Sequence, residues 1–133
     1  MSYTHFFVVG SRKYINFFKK HSLSTLISFT NSKNLIKDIV DSYKENHKGK
    51  LVLDSGAYSV ATKGLIIKEE DYLEYVKENY NNFDIIAQLD TINYGKVDSF
   101  QSAEKTYKNA YYMLENLKDT ERLALVFHPY EDF

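Results

Sequence analysis

Short apolar runs alternate with amphipathic segments along the whole chain. His5-Phe6-Phe7-Val8-Val9-Gly10 reads as a first strand ending in glycine. From Arg12 to His21, Tyr14, Phe17 and Phe18 recur at helical spacing behind Ser11, a residue suited to capping. Leu26-Ile27-Ser28-Phe29 centres a second strand over Leu23 to Thr30. A helix then runs from an Asn31 or Ser32 cap to about Asn46, with Leu35, Ile36, Ile39, Val40 and Tyr43 in one stripe. Lys50 to Asp54 is a third strand, and residues 55–67 read as a long loop holding Gly56 and Gly64. The next helix spans about Lys68 to Asn81, with Tyr72, Leu73, Val76 and Tyr80 on its apolar face. Phe83 to Asp90 is a fourth strand. The longest helix covers about Ser99 to Asp119, with Ala103, Tyr107, Ala110, Tyr111, Leu114 and Leu117 expected to face inward. Leu123 to His128 is a fifth strand. Regular strand–helix alternation predicts an α/β fold with parallel strands joined by right-handed crossovers.

Three of these strands end on a residue that moves protons: Asp54, Asp90 and His128. In a parallel sheet such ends share one rim, the rim that carries chemistry in barrels and open α/β sheets. Neighbouring strands lie about 4.8 Å apart, so Asp54 and Asp90 have the reach to face one pocket. Paired carboxylates suit chemistry at a sugar carbon, where one stabilises positive charge and the other shifts a proton. A plainer reading stands beside this one. Aspartate also follows strands as a helix cap or in a side-chain-closed turn, and His128-Pro129 also serves simply to end a strand. Tyr58 fits either the core or a stack on a planar ligand.

Composition narrows the field by exclusion. The 133 residues suit about one domain, residues 1–133, with an apolar fraction of 44% that supports a core. A net charge of −1 offers no bulk attraction to nucleic acid or membrane. The cluster Arg12, Lys13, Lys19 and Lys20, mixed with aromatics, reads either as a phosphate contact or as the solvated basic face of an amphipathic helix. With no cysteine there is neither a disulfide framework nor a thiolate metal site, which fits the cytoplasm, and no histidine pair has ligand spacing, so no metal is expected. No apolar run reaches the roughly 18 residues of a membrane span. Neither a Gly-x-Gly-x-x-Gly nor a Walker pattern is present, and no cofactor is expected.

Val52-Leu53-Asp54-Ser55-Gly56-Ala57-Tyr58-Ser59 resembles the Asp-Ser-Gly-(Gly/Ala)-(Phe/Tyr) signature of the tRNA-guanine transglycosylase (queuine tRNA-ribosyltransferase) superfamily. The likeness is strongest to its short, divergent members from phages and mobile elements. Phe83 to Asp90 resembles the family strand that ends on a base-recognising aspartate, and Val126 to Phe133 is similar to the next strand end, with His128 followed by an acidic pair. The resemblance implies a (β/α)₈ barrel that exchanges guanine in tRNA or DNA for a deazaguanine through a covalent glycosyl intermediate. It makes Asp54 the acid/base, and it places Ser55, Gly56, Tyr58, Asp90 and His128 in the base pocket. The family's nucleophilic aspartate and its zinc-binding cluster have no counterpart here.

Five strands do not close an eight-stranded barrel. The expected architecture is therefore the first five strands of such a barrel, completed by a further segment, a second half-barrel chain or a homodimer. The alternative is a small open doubly wound sheet.

Overall fold

The computed structural model describes residues 4–45, 47–91 and 99–126. Strands β1 (Phe6–Val8), β2 (Ser24–Ser28), β3 (Leu51–Asp54), β4 (Ile85–Ala87) and β5 (Leu123–Ala124) form one sheet. Every pairing is parallel, and the order across the sheet is the order along the chain. The connections carry α1 (Ile15–Lys20), α2 (Lys33–Lys44), α3 (Ala57–Lys63), α4 (Glu69–Asn79) and α5 (Ser99–Asn116). The protein is thus α/β, with an open five-stranded parallel sheet among the described residues. No helix among them is long and apolar enough to cross a membrane.

Register sorts the strand residues into two faces. Ile27, Leu53, Ile86 and Leu123 lie side by side across four strands. The first three are fully buried and share one core with Ile36 and Ile39 of α2, Tyr72 and Val76 of α4, and Met113 of α5. The opposite row is Val8, Leu26, Val52 and Ile85. No member of that row joins this cluster; Val52 is buried, whereas Val8 is 73% exposed. The α2 stripe follows its 3.6-residue period, and Ser32 caps it by accepting the Leu35 N–H at 3.2 Å.

The structure departs from the expected elements in four places. Residues 55–67 are not all loop, because Gly56 (φ +85°) and Gly64 (φ +65°) bracket the seven-residue helix α3. Glycine takes this left-handed conformation without a Cβ penalty, so it can open or end a helix as readily as a loop. Strand β4 stops at Ala87, which places Asp90 three residues beyond it. On α1 and the 3₁₀ turn before it, Tyr14 and Phe17 are exposed, not buried. Finally, α5 is rolled: Ser102, Thr106, Asn109, Ala110, Met113 and Leu117 are buried, while Tyr107, Tyr111 and Leu114 face out. Within the polar stripe Thr106 meets a polar neighbour, whereas Ser102 Oγ and Asn109 Nδ2 are buried with no hydrogen-bond partner among the described residues. Gln88, itself buried, donates through Nε2 to the Thr106 carbonyl at 2.9 Å and accepts the Val126 N–H on Oε1 at 3.1 Å.

Candidate functional site

Asp54 is the last residue of β3, paired in register with Ser28 of β2. Its backbone carbonyl accepts the Phe29 N–H at 2.9 Å, which ties the two strand ends together. Its carboxylate turns back to accept the Gly56 N–H at 3.0 Å. That contact closes a tight turn of the kind aspartate favours after a strand. The turn also fits the plain reading of Asp54, yet it fixes the carboxylate at the rim of the sheet.

Gly56 is the one residue type the turn tolerates. A Cβ there would stand 2.5 Å from Thr30 Cγ2 and 2.7 Å from Ser28 Oγ. Those two side chains are themselves joined, Ser28 Oγ to Thr30 Oγ1 at 2.7 Å. The hydroxyl pair of β2 therefore backs the turn that holds Asp54. Neither residue was marked by the sequence reading. The available signal was a serine on the less apolar face of a strand, next to its C-terminal end.

Ser55 is fully buried, and its Oγ donates to Asp90 Oδ1 at 2.9 Å. This contact brings the two strand-end carboxylates into one neighbourhood. Burial holds the Asp54 carboxyl above the usual carboxylate range. The Gly56 N–H pulls it back, and the negative charge of Asp90 pushes it further up. A carboxyl raised in this way holds its proton to higher pH than a free aspartate does, which suits it to proton transfer.

A third group belongs to the same neighbourhood. Tyr72 of α4 has no exposed surface, and its hydroxyl donates to the Ala87 carbonyl at 2.6 Å. Burial first, then the charges of Asp54 and Asp90, lift that hydroxyl well above its ordinary range. The sequence placed Tyr72 on an apolar helix face, which is correct for its ring. A tyrosine in a buried stripe needs a partner for its hydroxyl, and that need was the signal for a polar neighbour. Phe29 meets the Tyr72 ring edge-on, with ring centroids 5.0 Å apart.

The remaining expected site residues fall differently. Tyr58 lies in the first turn of α3, one helical step past the Gly56 turn, and is 62% exposed, so the core reading of it is overturned. His128 lies outside the described residues. Among the described residues no group of three or more His, Cys, Asp or Glu side chains gathers closely enough to hold a metal. A cavity of about 520 Å³ lies away from the pair, lined by Phe29, Lys33, Ile67, Asp71, Glu74 and Tyr75 among others, where α2 and α4 begin.

No protein-family model matches this chain, and no curated protein or solved structure matches it either. The assignment of function rests on the residues themselves.

Proposed function

We propose that this chain supplies the acid/base and base-recognition half of a transglycosylase-like site, one that replaces guanine in tRNA or DNA by a deazaguanine-type base. The observation that carries this reading is the rim pair: Asp54 feels the charge of Asp90, and buried Ser55 anchors Asp90 to the same turn. Two further features agree with it. The Asp-Ser-Gly-Ala-Tyr run of the resembling family coincides with the strand end, the left-handed turn and the start of α3. The sheet order runs 1-2-3-4-5 without reversal, with the shared core on one face. An unreversed order supports a barrel wall, since doubly wound sheets reverse their order at a switch point.

The chemistry assigned to each residue is simple. The Asp90 carboxylate accepts from the ring N–H and exocyclic amine of a guanine-like edge, two donors set side by side. A carboxylate supplied by a completing half-barrel attacks the sugar carbon, and the carbon–nitrogen bond to guanine breaks. Asp54 gives its proton to the departing base and takes one from the incoming base, whose nitrogen displaces the carboxylate. Proton and electron pair are balanced across the two displacements, as in other covalent glycosyl transfers.

Calorimetry with guanine and 7-deazaguanine tests the recognition half on this chain alone. The expected result is binding that drops about 100-fold or more in Asp90→Asn, because the amide presents a donor where the base also donates. Equal binding by Asp90→Asn, or no binding by the wild type, removes the proposal. Exchange of labelled guanine that survives Asp54→Asn in the completed protein removes the role of Asp54. A non-catalytic purine-binding module is the second reading. Binding of the base without exchange is its signature.

A further inference from the structure

The near-zero net charge hides a segregation. Residues 1–37 contain six Lys and Arg and no Asp or Glu, which leaves 11 cations against all 18 acids in the remainder. Part of the basic segment is neutralised by its neighbour. Arg12 pairs with Asp38 of α2 at 2.5 Å, and Lys19 pairs with Glu45, which follows α2. Lys13 and Lys20 are exposed and have no acidic partner among the described residues.

Between and beside these two lysines stand aromatic rings that the fold leaves open. Phe7, Tyr14 and Phe17 are 47%, 47% and 55% exposed. Phe18 meets Phe7 and Phe17 edge-on at 6.2 Å each, and the His21 ring lies 4.5 Å from Phe17. Phe7, Phe17, Phe18 and His21 are thus braced by one another. Lys13 Nζ sits 4.7 Å above the Tyr14 ring. The 3₁₀ turn Arg12–Tyr14 follows the C-terminal end of β1, the same rim of the parallel sheet that carries Asp54. From Lys13 to Lys20 the turn and helix rise about 10 Å, so the cations flank the rings at both ends.

We propose that the β1–α1 face binds single-stranded nucleic acid, with unpaired bases stacking on Tyr14 and Phe17 and backbone phosphates on Lys13 and Lys20. Exposed rings interleaved with unpaired cations match the surface that such strands need: a π-face for each base and a positive track for the backbone.

Fluorescence anisotropy with labelled single-stranded DNA of about 20 nucleotides tests this face on the chain itself, across a salt series. The expected result for Lys13→Gln/Lys20→Gln is weaker binding and a log K against log[salt] slope reduced by about 1.4. Phe17→Ser should weaken binding about fivefold or more with the slope unchanged. Tyr14→Leu, which keeps apolar bulk but removes the ring, guards against a loss of fold in the Phe17 variant and should show the same direction. No binding by the wild type at 50 mM salt overturns the inference. Binding unchanged in the double-lysine and ring variants overturns it too. Equal capture by phosphatidylserine vesicles without oligonucleotide binding assigns the face to a membrane and ends the proposal. Concentration-dependent dimers without oligonucleotide binding assign it to self-association, with the same consequence. The inference stands apart from base exchange. Loss of oligonucleotide binding with guanine binding intact overturns this face alone, and the converse result overturns the rim assignment alone.

Discussion

Gly56→Ala is the change that probes the rim most directly. The left-handed backbone at φ +85° costs an L-residue about 1–2 kcal/mol. The added Cβ also meets Thr30 Cγ2 at 2.5 Å and Ser28 Oγ at 2.7 Å. Neither atom is the far end of a long side chain. Both sit one bond from a Cβ, and their hydroxyls are bonded to each other at 2.7 Å, so relief requires the end of β2 to move. Overpacking of this kind adds about 1–3 kcal/mol. The sum is about 2–5 kcal/mol, a large part of a typical stability of about 5–15 kcal/mol. Urea unfolding followed by circular dichroism reads it directly. At about 2 kcal/mol per molar denaturant, a loss of 3 kcal/mol moves the midpoint by about 1.5 M. Thr30→Ser removes the nearest obstructing atom and keeps the hydroxyl. In the Gly56→Ala background it should restore about 1 kcal/mol, leaving the backbone cost and the Ser28 Oγ contact behind. A loss below about 0.5 kcal/mol would show that the turn is not held against β2, and the account of how Asp54 is positioned would fall with it.

Three further expectations follow from the same geometry. The Asp54 carboxyl is raised by burial, so the folded state holds its proton to higher pH than the unfolded chain does. Its stabilising contribution is therefore present below the ordinary value of 3.8 and is lost as pH rises through the raised folded value. Asp54→Asn keeps an acceptor for the Gly56 N–H and should be more stable than the wild type at pH 7, the two converging near pH 3; a wild type more stable at pH 7 contradicts this. Ser55→Ala removes the 2.9 Å bond to Asp90 and should cost about 1–2 kcal/mol, a Tm drop of about 5 °C by calorimetry; an unchanged Tm refutes that bond. Ser102 Oγ is buried without a hydrogen-bond partner among the described residues, so Ser102→Ala should gain about 0.5–1 kcal/mol in urea unfolding, and a loss would reveal a hidden partner.

The strands were legible because each is a short run of apolar residues between turn signals, and Ile27, Leu53 and Ile86 are as buried as that pattern requires. The α2 and α4 stripes were legible for the same reason, since a single apolar face at 3.6-residue spacing has one place to go. Asp54 and Asp90 were visible as strand-end acids. What joins them was not visible, because it depends on Ser55 reaching across to a residue 35 positions later. Nor was the role of Ser28 and Thr30, whose importance exists only against the missing Cβ of Gly56. The helix α3 was missed because two glycines read as breakers, and the same positive φ that breaks a helix also brackets one.

The roll of α5 is the most instructive miss, because its sequence carries two rival stripes. Tyr107, Tyr111 and Leu114 form one, and Ser102, Thr106, Asn109 and Met113 form the other. Periodicity alone ranks them by apolarity and turns the tyrosines inward. The choice is made instead just past β4, where the amide nitrogen of buried Gln88 needs the Thr106 carbonyl as its acceptor. The Thr106 hydroxyl also accepts the Thr91 N–H at 2.9 Å, on the segment that follows Asp90. Turning the tyrosines inward would take the Thr106 partners away from that amide nitrogen and from the Thr91 N–H, a cost of about 1–3 kcal/mol for each. The same polar seam lies directly behind the rim. The residues that decide how α5 packs are therefore the ones that hold the chain around Asp90 in place, which is why the helix gives up its more apolar face to solvent.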